Sequence, residues 1–86
     1  MTELFFKILH SSEVNRLSKI DSTFGIILRK KRLSKKLTQE ALSIESSLSR
    51  AYISELEMGK KDPSLFTIFK LADALKVKPS FFIEEI

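Results

Sequence analysis

The sequence predicts an all-α chain, and three observations support that class. Apolar residues recur every three or four positions in successive segments, which is the spacing of one face of a helix. Residues that favour helix starts precede several of these segments. No run alternates apolar and polar residues as a half-buried strand would, and the chain holds no internal repeat.

The first predicted helical segments lie before residue 36. Residues 1–21 read as an amino-terminal helical extension, whose apolar residues share one face: Leu4, Phe5, Ile8 and Leu9. A longer helix is predicted over residues 22–35, with Ser22 as its N-cap. Its inward residues are Phe24, Ile27 and Leu28.

The central stretch, residues 38–59, predicts two short helices joined by a tight corner. Thr38 and Ser49 are suited to cap the two helix starts, because a hydroxyl can accept a free N–H group of the first turn. Gly59 suits the left-handed position that ends the second helix. Two helices joined by so short a corner resemble a helix-turn-helix, whose second helix enters a DNA major groove.

Two further helices complete the pattern. Ser64 precedes a helix whose inward residues are predicted to be Leu65, Ile68, Leu71, Ala72 and Leu75. Pro79 suits the first turn of a fifth helix over residues 79–86. The prediction for residues 22–86 is therefore a compact five-helix bundle.

Charge is concentrated in one window of the chain. The net charge is +4, and no acidic residue lies between Asp21 and Glu40. Six cations fall in that window: Arg29, Lys30, Lys31, Arg32, Lys35 and Lys36. Such a cluster is typical of a phosphate-binding face, although a solvated helix end that suits the helix dipole has the same composition.

Several classes of function are not indicated. The chain has no cysteine and one histidine, so neither a thiolate site nor a multi-histidine metal site is expected. No apolar run reaches the roughly 20 residues of a membrane span. No serine has a histidine base backed by a carboxylate, and two glycines do not make a phosphate-cradling loop. We expect no enzyme activity, no cofactor and no small-molecule ligand.

Five motifs in order carry a resemblance to a known family. They are FGIILRKKR at 24–32, LTQE at 37–40, LSRAYISELE at 48–57, GKKDPS at 59–64 and LADALKV at 71–77. The series resembles the Cro/cI-type (XRE-like) helix-turn-helix regulators of bacteria and phages, and the short length resembles restriction–modification controller proteins.

The resemblance implies a lambda-repressor-like DNA-binding domain over residues 22–86. It also implies a cytoplasmic, bacterial or phage-encoded transcriptional regulator that acts as a dimer on a palindromic operator. Repressor and activator stay open, because both use the same fold. A protein-interaction module, such as an antitoxin-like partner, is the alternative. It is favoured by aromatic residues near both ends: Phe5, Phe6, Phe81 and Phe82.

The family implies which residues of the second short helix face the base edges: Arg50, Ala51, Ser54 and Glu55. Arg50 is expected to make the specific contact, because a guanidinium can pair with guanine O6 and N7. Ala51 is suited to a thymine methyl group, and Ser54 to a base or a phosphate. Glu55 either accepts a hydrogen bond from a cytosine amine or orients a neighbouring cation.

Phosphate contacts are expected around that helix. Gln39 resembles the family's phosphate clamp, and Lys60 and Lys61 follow the helix in a loop. Further phosphate contacts are assigned to Arg29 and Lys36. Tyr52 is suited either to a phosphate, through its hydroxyl, or to packing.

Two further expectations come from the family. Arg32 and Glu57 occupy positions that form a partly buried ion pair. The fifth helix commonly lies at the two-fold axis, which points to a dimer interface formed by Phe81, Phe82, Ile83 and Ile86; the apolar amino-terminal residues are the alternative.

The chain also departs from the family pattern. The family usually has glycine where this chain has Lys36, Ser47 and Lys76, at a cost of about 1 kcal/mol each if the backbone there is left-handed. Lys31 stands where an apolar residue is common.

Overall fold

Five helices follow one another in the part of the chain that the structure describes, which is the backbone of residues 14–84 and the side chains of residues 23–84. In this computed structural model they are α1 (Val14–Ser34), α2 (Gln39–Ser46), α3 (Arg50–Glu57), α4 (Leu65–Leu75) and α5 (Ser80–Glu84). No strand is found within residues 14–84. The prediction of an all-α, five-helix chain is confirmed.

The start of α1 differs from the prediction. The helix runs without a break from Val14 to Ser34, so Ser22 lies inside it and is not its N-cap. Serine has only a small helix penalty, and neither glycine nor proline stands between Val14 and Ser22 to stop a helix that has already begun. The division into an extension and a domain at residues 21 and 22 stays a prediction. The apolar residues at positions 4–9 lie outside the described residues.

Three predicted N-caps are confirmed, each by one hydrogen bond from the first turn of its helix. The hydroxyl of Thr38 accepts from the Ala41 N–H at 3.0 Å and that of Ser64 from the Thr67 N–H at 3.0 Å. Ser49 accepts from the Tyr52 N–H at 3.1 Å. The starts of α2, α3 and α4 are therefore set by local chemistry.

The carboxyl ends of α1, α3 and α4 share one hydrogen-bonded turn, the Schellman motif. In α3 the Lys60 N–H donates to the Glu55 carbonyl at 2.9 Å, and the Gly59 N–H donates to the Leu56 carbonyl at 3.1 Å. The same two bonds close α1 around residue 36 and α4 around residue 76. The motif needs a left-handed residue at its turn, and here φ is 58° at Lys36, 72° at Gly59 and 60° at Lys76.

Ser47 is the remaining residue with a positive φ among the described ones, at 61°, and it forms the corner between α2 and α3. All three positions at which this chain lacks the family's glycine therefore have a left-handed backbone. A Cβ atom is strained in that region, so the predicted cost of each departure applies.

The core is formed by apolar side chains from all five helices. Its largest members are Phe24, Leu28, Leu42, Ile53, Leu56, Leu71, Leu75 and Phe82. Phe82 is 0% exposed, and its ring centroid lies 5.1 Å from that of Phe24. The assignment of Phe82 to the dimer interface is corrected, because its side chain has no surface left for a partner. Leu65, predicted to face inward, is 63% exposed, since it is the first residue of α4 and lies before the helix reaches the core.

Gly25 marks the closest approach of α1 to the end of α3. A Cβ atom at this position would lie 2.4 Å from the carbonyl oxygen of Leu56 and 2.7 Å from that of Glu57. Both neighbours are backbone atoms, which cannot turn away as a side chain can. The absence of a side chain at residue 25 therefore sets how near the two helices come.

A buried ion pair joins the same two helix ends. Arg32 donates from Nε to Glu57 Oε2 at 2.7 Å and from Nη2 to Glu57 Oε1 at 3.0 Å, and the two side chains are 8% and 2% exposed. Arg32 also donates from Nη1 to the Leu37 carbonyl at 2.8 Å. The hydrogen bond with Glu57 raises the pKa of Arg32 above its ordinary value, so the contribution of the Arg32 charge to stability is present through neutral pH and is lost as the pH rises through that raised pKa.

Replacement of Lys76 by glycine tests the cost of the left-handed residues. We expect Lys76→Gly to raise the free energy of unfolding by about 1 kcal/mol, because glycine adopts a positive φ without strain. A thermal melt should show a rise of roughly 4–8 °C. The control is Lys78→Gly, at a position where φ is not positive, which should lower stability by adding freedom to the unfolded chain. Equal shifts in both variants would contradict the strain argument.

Loss of one partner of the ion pair should be costly. Arg32→Ala and Glu57→Ala should each lower the free energy of unfolding by about 3–5 kcal/mol, because the remaining charge stays buried without a partner. Thermal and urea melts measure this, with Arg29→Ala, an exposed arginine of α1, as the control. If both variants melt within a degree of the parent, the pair does not hold the helices.

Candidate nucleic-acid interface

The corner between α2 and α3 consists of Ser47, Leu48 and Ser49. The Ser43 hydroxyl donates to the Leu48 carbonyl, and the Leu48 N–H donates to the Ser46 hydroxyl at 3.3 Å. Leu48 itself is partly buried against the core. Side-chain hydroxyl groups thus bond the backbone that the corner leaves outside both helices, and the angle between α2 and α3 is fixed.

The two faces of α3 differ in burial. Ile53, Leu56 and Glu57 are buried. Arg50 and Ala51 are exposed, and Ser54 and Glu55 are half-buried. The four predicted base-contacting residues therefore share the outer face of α3.

Tyr52 lies between the two faces and is bonded within the protein. Its hydroxyl is 3.1 Å from Thr67 Oγ1, which is 2.9 Å from the hydroxyl of Ser64. The chain of hydroxyl groups links α3 to the first turn of α4. Tyr52 packs against the core, and the phosphate contact predicted for its hydroxyl stays a prediction.

The predicted lysines of the loop lie directly after α3. Lys60 and Lys61 are both exposed. The Lys60 N–H is held by the Glu55 carbonyl at 2.9 Å, so the loop cannot drift from the helix end without breaking the Schellman motif. The backbone of Lys60 is thereby kept at the carboxyl end of α3.

The basic window divides into two kinds of residue. Arg29 and Lys36 are exposed near the end of α1. Lys31 instead places its Nζ atom 4.9 Å from the centre of the Phe81 ring, which is a cation–π distance. The lysine that departs from the family's apolar pattern thus places its charge over an aromatic ring of α5.

Gln39, the predicted phosphate clamp, makes a hydrogen bond within the protein that the sequence did not predict. Its side chain is half-buried, and Nε2 donates to Glu57 Oε1 at 3.1 Å. The two residues are 18 positions apart in sequence, so no local pattern indicates the bond. Gln39, Glu57 and Arg32 form one connected group.

Two other kinds of site are not seen in the described part of the chain. The side chains of residues 23–84 include no group of three or more that is suited to bind a metal ion. None of the described helices is both long and apolar enough to cross a membrane.

Comparisons with known proteins agree with this arrangement. The helix-turn-helix family model matches residues 28–82. Control protein C.BamHI from Bacillus amyloliquefaciens is 42% identical over 62 residues, which is 71% of this chain and 76% of that protein. The crystal structure of the restriction–modification controller protein C.AhdI from Aeromonas hydrophila is 41% identical with a TM-score of 0.70, over 71% of this chain and 92% of that one.

A gene regulator outside the controller proteins has a similar structure. ClgR, the clp gene regulator from C. glutamicum, is 30% identical with a TM-score of 0.72, over 77% of this chain and 86% of that one. The segment matched by the family model contains all of α2, the corner and α3. The chain belongs to the Cro/cI-type (XRE-like) helix-turn-helix family of DNA-binding transcriptional regulators.

Proposed function

We propose that this regulator binds a palindromic operator as a dimer, with α3 in the major groove. One observation carries the proposal: the first turns of α3 are exposed on one side, while the opposite side is packed into the core. An α-helix with its side chains is about 10–12 Å across, and the major groove is about 12 Å wide. To read bases, a helix must be held firmly by the rest of the protein and must expose one face to the DNA.

Arg50 is the proposed reading residue. It lies one position past the Ser49 cap, at the end of α3 that enters the groove first. Its exposed guanidinium would pair with guanine O6 and N7, and Ala51 would contact a thymine methyl. Ser54 and Glu55 lie one turn further along, where their half-buried side chains would complete the contact with the bases.

Affinity is assigned to the residues beside α3. Lys60 and Lys61 would meet one phosphate strand, and Gln39 at the start of α2 would meet the other. Arg29 and Lys36 add exposed charge at the end of α1. The lysine and arginine contacts would neutralise phosphates, and the Gln39 amide would donate to one, all without reading sequence.

The proposal needs no cofactor, and it places the protein in the cytoplasm of a bacterium, where the target DNA is. Repression and activation would both use this interface, because the position of the operator relative to the promoter decides between them.

Titrations of variants on DNA test the assignment of roles. Arg50→Ala should weaken operator binding by about 1–3 kcal/mol and relax the preference at one base pair. Lys60→Ala and Lys61→Ala should weaken operator and random duplex alike, and each should lower the salt slope by about one unit. The operator is first obtained by selecting bound duplexes from a random pool.

Lys78→Ala is the charge-matched control, because Lys78 is exposed but lies between α4 and α5, away from the proposed contacts. It should leave the salt slope unchanged. An unchanged ratio of operator to random binding in Arg50→Ala would show that the reading residue is assigned wrongly.

The proposed dimer interface needs apolar surface at the carboxyl-terminal end. Phe81 and Ile83 are half-buried, and Ile86 lies outside the described residues. The structure adds two aromatic residues of α4 that the sequence did not single out: Phe66 is 67% exposed and Phe69 is 49% exposed. We propose that α4 and α5 of two copies meet through these residues around a two-fold axis.

The substitution Phe69→Asp should weaken the proposed dimer. We expect Phe69→Asp to shift the monomer–dimer equilibrium towards monomer by tenfold or more, because it places a charge among apolar side chains. Sedimentation velocity over a range of protein concentrations measures the shift. Ile44→Asp is the control, since Ile44 of α2 is 75% exposed but outside the proposed surface. A parent protein that stays monomeric at high micromolar concentration would refute the dimer.

A protein-interaction module is the second candidate, favoured by the same exposed phenylalanines of α4. A bundle that binds only a protein partner would show no salt-dependent affinity for duplex DNA. The titrations on random duplex therefore separate the two candidates.

A further inference from the structure

Glu57 accepts more hydrogen bonds than its ion pair requires. Two come from Arg32, at 2.7 and 3.0 Å, and they already give the carboxylate a bidentate partner. A third comes from Gln39 Nε2 at 3.1 Å. The third bond connects a carboxylate that is 2% exposed to a half-buried side chain at the start of α2.

The bond leaves Gln39 with a defined set of free groups. A glutamine amide has two N–H donors and one carbonyl acceptor. One N–H is given to Glu57, so one N–H and the carbonyl oxygen stay available at the surface. The orientation of the amide follows from electrostatics, because a carboxylate attracts the amide nitrogen and repels the amide oxygen.

Arg32 makes this arrangement compatible with DNA. A lone carboxylate behind Gln39 would repel a phosphate group, but the bidentate guanidinium neutralises the charge of Glu57. The carboxylate is then free to orient Gln39 without opposing the phosphate in front of it.

We infer that Glu57 is a positioning residue for the contact between Gln39 and a DNA phosphate. The inference rests on the proposed DNA binding. Glutamine has many rotamers, and ordering it costs conformational entropy. A side chain that is oriented before DNA arrives avoids part of that cost when it binds. The ion pair at the end of α3 thereby sets the strength of a contact made from the start of α2.

A double-mutant cycle tests the inference on random duplex, so that no operator is needed. We expect Gln39→Ala and Glu57→Gln each to weaken binding, with loss of a charge-assisted hydrogen bond costing about tenfold or more. When Gln39 is already alanine, Glu57→Gln should change binding no more than Glu45→Gln does, because nothing is left to position. Glu57→Gln that weakens binding equally in both backgrounds would show a merely structural role and overturn the inference.

Glu45→Gln is the matched control for the lost negative charge, since Glu45 is an exposed residue of α2. It should change binding equally in both backgrounds at position 39. Stronger binding by Glu57→Gln than by Glu45→Gln would mean that Glu57 holds Gln39 away from DNA, which would also overturn the inference. Absence of any binding by the parent protein would instead refute the proposed function.

A measurement on the parent protein decides the question even if Glu57→Gln does not fold. The chain has one glutamine and one asparagine, so its side-chain amide NMR spectrum contains two pairs of signals. We expect the Gln39 amide to be ordered in the free protein, with an order parameter near that of rigid backbone, about 0.85. Its signals should shift on titration with duplex. A Gln39 amide that moves freely before DNA is added would overturn the inference.

Discussion

The bidentate ion pair between Arg32 and Glu57 is the interaction on which the position of α3 depends. It joins the last turn of α1 to the last residue of α3, and Arg32 also bonds the Leu37 carbonyl in the turn before α2. One guanidinium thus holds together the end of α1, the turn before α2 and the end of α3. A buried pair of this kind contributes little net stability compared with apolar packing. What it contributes here is geometry, because the planar fork accepts the carboxylate in one orientation.

The contacts of α3 are arranged unequally along its length. At its carboxyl end the helix is held by the ion pair, by the close approach of Gly25 and by the bonds around Gly59. At its amino end Ser49 caps it, while Arg50 and Ala51 are left exposed. A helix that is held by these contacts and exposes one face of its first turn presents that face at a constant angle, which suits the proposed reading of base edges.

The sequence predicted features that depend on a few neighbouring residues. Thr38, Ser49 and Ser64 were identifiable as caps because capping is a local hydrogen bond. The positions of Arg32 and Glu57 were indicated by the family motifs. The bond between Gln39 and Glu57 and the burial of Phe82 were not predictable, because each depends on how separate helices pack. The start of α1 was missed because Ser22 suits a cap and is also tolerated inside a helix.

Lys36 and Lys76 have the same strained left-handed backbone, but only Lys36 has a role in the proposed function. Lys36 and Lys76 have nearly the same backbone, with φ at 58° and 60°, and the same hydrogen-bonded turn. Glycine would relieve the strain at either position. At Lys36, glycine would also remove a cation from the basic window beside the proposed DNA surface. The strain at this position therefore accompanies a positive charge that the proposed DNA contact would use. Lys76 has no such assignment, and nothing in the structure explains its side chain. Under the proposed function, the same departure from glycine therefore has a reason in one turn and none in the other.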